Sequence, residues 1–364
     1  PSSLPGSPAP PHDRALPTHP AIGRLLGGKY ELLALAGHGG MAEVFRATTH
    51  GVAGFRRPVA VKRILDELSE DPKFVAMFVE EARVTAALQH PNIVGIHDFD
   101  RDEDGAYFLV MEWVDGLNLF EWRMAHKAAA ARTPWHLVAA IGIEILKALN
   151  AAHGNRNDEG ELSPVYHRDV TPQNILLGTN GVVRLADFGL ARAMDRARIT
   201  QPEMVKGKLG YIVPEMTQGA DPTVQTDLFG VGIVMWEALA GRKLFLGESP
   251  LEILEQVRDA RVPPLTEYRD DLPQSLTDAV HRALRKEPER RYSSARSMVR
   301  ALANILRMTP ESTSNDVIAR SIAEARQRLR RAVTDEHEVT ALLDIERLRT
   351  VDAAPREMPR ASAE

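Results

Sequence analysis

Short runs of alternating apolar and polar residues fill the first third of the chain, and apolar stripes at helical spacing fill most of the rest. Residues 30–36, 42–48 and 58–64 read as strands, because side chains two apart share one face of an extended chain. Between 73 and 88 the period changes. Phe74, Met77, Phe78, Ala82, Thr85 and Leu88 recur every three or four positions, which puts them on one face of a helix. Strand-like runs return at 94–98 and 106–113. After Gly116 the pattern predicts helices over 135–152, 225–239, 250–260, 275–284 and 294–306. The periodicity therefore describes an α+β chain in two lobes, a small β-rich one with a single helix and a larger helical one. Residues 1–24 carry prolines at 5, 8, 10, 11, 17 and 20 and read as an extended arm. Residues 308–364 are charged and helical in pattern, apart from a disordered last dozen. There Val317, Ile318, Ile322, Ala325, Leu329 and Val333 fall on one face, which either packs on its own domain or docks a partner, a second copy included.

Composition narrows the classes. A length of 364 residues allows two domains, and a hydrophobic content of 44% supports a sizeable core. A net charge of −5 gives no reason to expect nucleic acid as a partner. With no cysteine there is neither a disulfide nor thiol chemistry. No apolar run reaches the ~18 residues that a membrane crossing needs. The richest, 228–239, is interrupted by Glu237 and reads as a buried helix. A cytoplasmic place is expected. The chain starts at Pro1 rather than Met, as a processed or excised segment does, so a membrane anchor outside it is left open.

The candidate chemistry lies in His167-Arg168-Asp169-Val170-Thr171-Pro172-Gln173-Asn174, followed by Asp187-Phe188-Gly189. Between them an apolar run (Ile175, Leu176, Leu177) and the turn at 178–181 predict a hairpin with polar groups at its mouth. Two carboxylates and an amide oxygen converging there suit a hard divalent cation such as Mg²⁺. Taken together, these residues resemble the catalytic loop H-R-D-x-x-x-x-N and the D-F-G motif of the protein kinase family. The resemblance covers residues 28–307. It implies the two-lobe protein kinase fold, with an N-lobe at 28–112, a hinge at about 112–116 and a C-lobe at 117–307. It leaves 1–27 as a disordered arm and 308–364 as the tail.

Other motifs fall in the family's order. Gly37-His38-Gly39-Gly40-Met41-Ala42-Glu43-Val44 lies between two strands; such a stretch is either an ordinary hairpin turn or a loop whose N–H groups meet phosphates. Val59-Ala60-Val61-Lys62 follows. The resemblance makes Lys62 the holder of the α- and β-phosphates, with Ala60 on the same strand face under the adenine. Glu81 is its expected partner and Glu80 the rival. Met111, Glu112 and Val114 stand where the family has the back of the pocket and the hinge. The implied nucleotide set is Gly37, Gly39, Gly40, Val44, Ala60, Lys62, Met111, Glu112, Val114 and Leu176, for ATP with Mg²⁺, or Mn²⁺ in its place.

By the same resemblance Asp169 is the base for a protein hydroxyl, Asn174 and Asp187 hold metal, and His167 and Phe188 are supports. Arg168 receives a phosphorylated activation loop, with Thr200 as the modified residue. Glu215 pairs with Arg291, and Asp227 braces the catalytic loop. Two positions depart from the pattern. Thr171 stands where Ser/Thr kinases carry a phosphate-facing lysine, and Lys208 stands where they carry threonine. The exchange suggests that Lys208 supplies the missing cation. With the polar insert at 155–164, these features resemble a bacterial branch of the family, a eukaryotic-like serine/threonine kinase acting on protein substrates. The alternative is a pseudokinase, a nucleotide-binding scaffold, and its warrant is Thr171, Ala42 and Val213.

Overall fold

A computed structural model describes residues 19–188 and 209–334. The N-lobe is a six-stranded antiparallel sheet in the order β1-β2-β3-β4-β6-β5. Its strands are β1 (Leu25–Leu26), β2 (Tyr30–His38), β3 (Ala42–His50), β4 (Arg56–Ile64), β5 (Ile96–Arg101) and β6 (Tyr107–Glu112). One helix, α1 (Pro72–Ala86), crosses it. Asp71 caps its first turn by accepting from the Lys73 N–H at 2.8 Å, and Pro72 occupies the position where a missing N–H costs nothing. Phe78 and Ala82 of α1 are buried against Ile64 and Leu109 of the sheet.

The sheet's other face has its own small core of Leu26, Leu32, Phe45, Val61, Phe108 and Val110, and Ala21 joins it. The arm expected over 1–27 therefore gives way to folded chain from residue 19. Proline spacing suggested an extended segment, but Ala21 and Leu26 bury apolar surface on the sheet and hold it in place.

The C-lobe carries a short sheet ordered β7 (Gly116–Asn118), β8 (Ile175–Gly178) and β9 (Val183–Leu185). At Gly116 a side chain has no room, since a Cβ there would lie 1.9 Å from the Leu177 carbonyl oxygen. Its helices are α2 (Leu119–Ala128), α3 (Trp135–His153), α4 (Val224–Ala240), α5 (Pro250–Arg258), α6 (Gln274–Ala283), α7 (Ala295–Arg307) and α8 (Asn315–Thr334). All five helices read from periodicity after Gly116 are present within one or two residues. Among the described residues α3 alone is long and apolar enough to cross a membrane. It instead runs through the C-lobe core, with Leu146, Ala148 and Leu149 fully buried.

Helix α2 and strands β1 and β7 were not anticipated. In α2 the inward face carries Arg123 and His126, both buried, so the apolar stripe is broken. Its start was readable, because Asn118 and Glu121 form a reciprocal cap.

The apolar face expected on the tail is spent inside the chain. Ile318, Ile322 and Ala325 of α8 belong to the main C-lobe core, and the Trp122 indole N–H donates to Ser321 Oγ at 3.0 Å. The apolar face from Val317 to Leu329 packs on its own domain, the first of the two expected outcomes; the remainder of the 308–350 segment, from 335, lies outside the described residues. The Asn315 end of α8 sits against Gly181, where a Cβ would lie 1.9 Å from the Asn315 carbonyl oxygen and where φ is +77°. Ile322→Ala should therefore lower unfolding free energy by about 2–5 kcal/mol in a urea titration. Arg326→Ala, which breaks only a surface pair with Asp115, should change it by less than about 1 kcal/mol.

Candidate active site

Strand register decides which side chains face the cleft. Val44 of β3 pairs with Lys62 of β4, and Ala60 pairs with Met111 of β6. Alternation then puts Ala60 and Lys62 on one face, as their spacing predicts. One apolar cluster collects Val44, Ala60, Met111, Val114 and Leu176, the first and last two only partly buried. It has the make-up of the wall of an adenine pocket: apolar, partly open and built from both lobes. Beside it the chain passes from β6 to β7 through residues 113–115. There the Glu112 carboxylate is clamped by Arg184, with Nε–Oε2 at 2.6 Å and Nη2–Oε1 at 2.7 Å. Neither Gly37 nor Gly39 is demanded by packing, since a Cβ would meet its nearest neighbours only at 3.9 and 3.4 Å.

At the inner end of the cleft the Lys62 ammonium donates to Glu81 Oε1 at 2.7 Å and to Asp187 Oδ1 at 2.8 Å. Glu80, the rival partner, is turned to solvent, with its side chain 63% exposed beside Arg83. Lys62 and Glu81 are both buried, and Asp187 is the open member, 31% exposed. Burial alone would lower the Lys62 ammonium, but Asp187 and Glu81 outweigh it and hold the group above its ordinary range. Burial pushes the Glu81 carboxyl up to about 7 against the pull of Lys62, and Asp187 adds to the rise. Glu81 Oε2 is also buried without a hydrogen-bond partner.

The segment from His167 to Asn174 is fixed by α4. The Asp227 carboxylate accepts from the His167 N–H at 2.9 Å, the Arg168 N–H at 2.8 Å and His153 Nε2 at 2.7 Å. His167 Nδ1 accepts from the Asp169 N–H at 3.2 Å, so its Nε2 carries the proton and donates to the Ala186 carbonyl at 2.9 Å. That ties the loop of Asp169 to the residue before Asp187. Asn174 Nδ2 donates to the Asp169 carbonyl at 2.9 Å and to Asp169 Oδ2 at 3.2 Å. Its Oδ1 takes no part in either bond and is the oxygen end suited to a cation. Asn174 and Asp187 thus fit a metal that draws its remaining ligands from phosphate and water. Arg291 grips Glu215 with two bonds, at 2.7 and 2.6 Å, as the late arginine was expected to.

The structure brings together Lys62, Glu81, Asp169, Asn174 and Asp187. Lys208, Thr200 and Gly189 lie outside the described residues, so the proposed cation swap and modification site have no structural reading there. Thr171 is buried, and its carbonyl accepts from the Asn174 N–H at 3.1 Å. Sequence reasoning missed His153, Arg184 and the buried group around Glu237. In that group Glu237 Oε2 accepts from Arg123 Nη1 and Tyr211 OH, both at 2.8 Å. Each pairs residues far apart in sequence, and no local spacing marks them.

The raised Glu81 carboxyl has a consequence with a definite sign. Between 4.5 and about 7 the folded chain holds a proton there that the unfolded chain has lost. This group's contribution to stability therefore falls as pH rises through that window. Thermal melts across the window should show the decline, and Glu81→Gln should remove that component.

Residues 30–302 match the protein kinase domain family. A probable serine/threonine-protein kinase of Clostridium perfringens is 36% identical over 285 residues, 78% of this chain and 39% of its own length. The tyrosine-protein kinase MasK of Myxococcus xanthus is 36% identical over 279 residues, 77% of this chain and 43% of its own. The kinase domain of PknI from Mycobacterium tuberculosis, a solved structure, superposes with a TM-score of 0.58 at 28% identity, covering 79% of this chain and 99% of that one. The chain spans about two-fifths of the length of these two curated relatives. With three quarters of its length under one family and the two lobes in place, this chain belongs to the protein kinase family, whose members use ATP and a divalent metal.

Proposed function

We propose that this domain transfers the γ-phosphoryl group of ATP to serine and threonine hydroxyls of proteins. The observation that carries the reading is the Lys62 ammonium held between Glu81 and Asp187 at 2.7 and 2.8 Å, beside a loop that presents Asp169 and Asn174. Phosphoryl transfer asks for alignment and charge neutralisation more than for covalent chemistry by the protein. Glu81 fixes the ammonium at a height where it meets the α- and β-phosphates, and the Gly-rich turn between β2 and β3 covers them with backbone N–H groups. Met111 closes the back of the pocket, while Ala60 and Leu176 sandwich the adenine and the Glu112 and Val114 backbone meets its edge. The Asn174 amide holds the Asp169 carboxylate so that one oxygen orients the substrate hydroxyl and accepts its proton. Asn174 and Asp187 would hold Mg²⁺, or Mn²⁺ in its place, which neutralises phosphate oxygens when bound.

Arg168, beside Asp169, is the partner proposed for a phosphate on Thr200 in the ordered, active loop. Lys208 is the substitute cation for Thr171. The pseudokinase reading has no observation in its favour, since the five residues that chemistry requires are all present and gathered. A cytoplasmic setting, where ATP is supplied, goes with the reading.

Incubation with labelled ATP and Mg²⁺ should show transfer by the wild type and a rate about 10²–10⁴ lower for Asp169→Asn. Near-normal turnover by that variant would remove Asp169 from its role. Phosphoamino-acid analysis of the product should return serine and threonine; the likeness to MasK makes phosphotyrosine the contrary outcome. Lys208→Ala should slow transfer about 10- to 100-fold, the worth of a hydrogen bond to a charged group. The Thr171→Lys/Lys208→Thr double variant should recover part of that loss if the two positions are coupled. Thr200→Ala should leave the enzyme with low activity after preincubation with ATP; full activity would discard the switch.

A further inference from the structure

On the face of the N-lobe sheet turned away from the cleft, one carboxylate joins the Gly-rich turn to the segment ahead of β1. Val44 shares the cleft face with Lys62, so Glu43, its neighbour, points to the opposite side. There Glu43 Oε1 meets His38 Nδ1 at 3.1 Å and His19 Nε2 at 3.0 Å. His38 belongs to the Gly-rich turn, whereas His19 lies 24 residues ahead of Glu43 in sequence. The His19 ring has a defined tautomer. Its Nδ1 accepts from the Ala21 N–H at 3.2 Å, so Nε2 carries the proton and donates to Glu43. The ring also packs edge-on against Phe45, two residues along β3 on the same face, at 5.1 Å between centroids.

His19 belongs to a strap that is anchored to the sheet. Ala21 is buried in the outer-face core. The Gly23 N–H donates to the Leu32 carbonyl at 2.8 Å, and the Leu32 N–H donates to the Arg24 carbonyl at 3.0 Å. The side chains of His19, His38 and Glu43 are 24, 28 and 14% exposed, so their contacts are screened less than those of an open surface pair. The strap precedes the residues that match the family, which begin at 30.

We propose that His19 and Glu43 are positioning residues for the Gly-rich turn, clamping it from outside the sheet so that its N–H groups meet nucleotide phosphates at a lower ordering cost. The proposal rests on the reading that this turn covers ATP. Glycine-rich chain loses more backbone freedom than any other when it is ordered, and whatever is fixed before binding is not charged to affinity. Inside the turn the Gly39 N–H bonds to the Ala42 carbonyl at 2.9 Å. The clamp adds a tether to the strand on either side of it and to the strap. Because Glu43 pulls from the outer face, the tether does not enter the space of the phosphates.

The test uses the full chain with Mg²⁺ and a fluorescent ATP analogue, alongside hydrogen exchange of the amides at 37–44 without nucleotide. His19→Ala should weaken analogue binding about threefold to tenfold, the worth of one hydrogen bond, and should speed exchange at 37–44. Glu43→Ala should do the same or more, and the double variant should be no worse than Glu43→Ala, because the two act through one contact. His19→Gln, whose amide N–H can reach the same carboxylate, should recover much of the affinity. Saturating turnover and melting temperature should stay near wild type for His19→Ala. Unchanged exchange and affinity in His19→Ala would overturn the proposal, and so would losses that simply add in the double variant. If the wild type bound no analogue, the nucleotide reading would fail, while the exchange rates would still report whether the clamp holds the turn.

Discussion

A buried ammonium must be matched where it lies, and Lys62 is matched by carboxylates that arrive from two lobes. Glu81 comes from α1 in the N-lobe, and Asp187 follows β9 in the C-lobe. Removing an ion of this size from water costs several kcal/mol even after relaxation, so a lone Lys62 would be a liability to the fold. The contact therefore specifies more than itself. It requires α1 to sit down on the sheet, which Phe78 and Ala82 secure by burial. It also requires the chain after β9 to come close under β4. Leu185 takes part in that approach, because its N–H donates to the Asn92 carbonyl and its carbonyl accepts from the Val94 N–H. Phosphate oxygens entering the cleft would share the ammonium with Asp187, the open member of the trio, and leave Glu81 as the fixed one.

The polar loops are held by a second constraint. Arg168 and Asp187 adopt left-handed backbone, with φ of 68° and 62°, although neither is glycine. Each such residue costs of order 1–3 kcal/mol and persists only where its surroundings dictate it. For Arg168 the dictating group is the Asp227 carboxylate, which takes the N–H groups of both His167 and Arg168. For Asp187 it is the Lys62 ammonium on one side and the His167 bond to the Ala186 carbonyl on the other. Asp227 can serve as a fixed point because α4 is buried all round, from Thr226 to Leu239.

These facts also explain what was legible in the chain. Elements with a clean period were readable: the strands around Lys62, α1 and the long C-lobe helices. The site residues were readable because their spacing is short and fixed within each loop. Glu81 was the expected partner over Glu80, although the two lie on one helix a single position apart, and the docking of α1 buries Glu81 and leaves Glu80 in solvent. What could not be read is what depends on meetings at long range. Arg123 and His126 look like surface residues of α2, yet both are buried, and the Glu237 carboxylate that receives Arg123 lies 114 residues away in sequence. His153 gives no sign in its own neighbourhood that Asp227 is its partner. Proline content masked the fold of residues 19–27, which Ala21 and Leu26 hold on the sheet, whereas the helical apolar face after 315 was legible and only the surface it meets was not.

Those two segments pack on different lobes. The strap from His19 covers the outer face of the N-lobe sheet, and α8 covers the C-lobe beside the hinge, where Arg326 lies 3.5 Å from Asp115. That ion pair, with Asp115 63% exposed, is of the kind worth about 0–1 kcal/mol and does not hold the helix. What holds it is Ile322 and Ala325, fully buried in the same core as α2 and α3. A helix attached by charge alone could leave at little cost; one attached through a shared core cannot do so without exposing that core. Helix α8 is therefore a built-in structural part of the C-lobe beside the hinge, not an attachment held by charge.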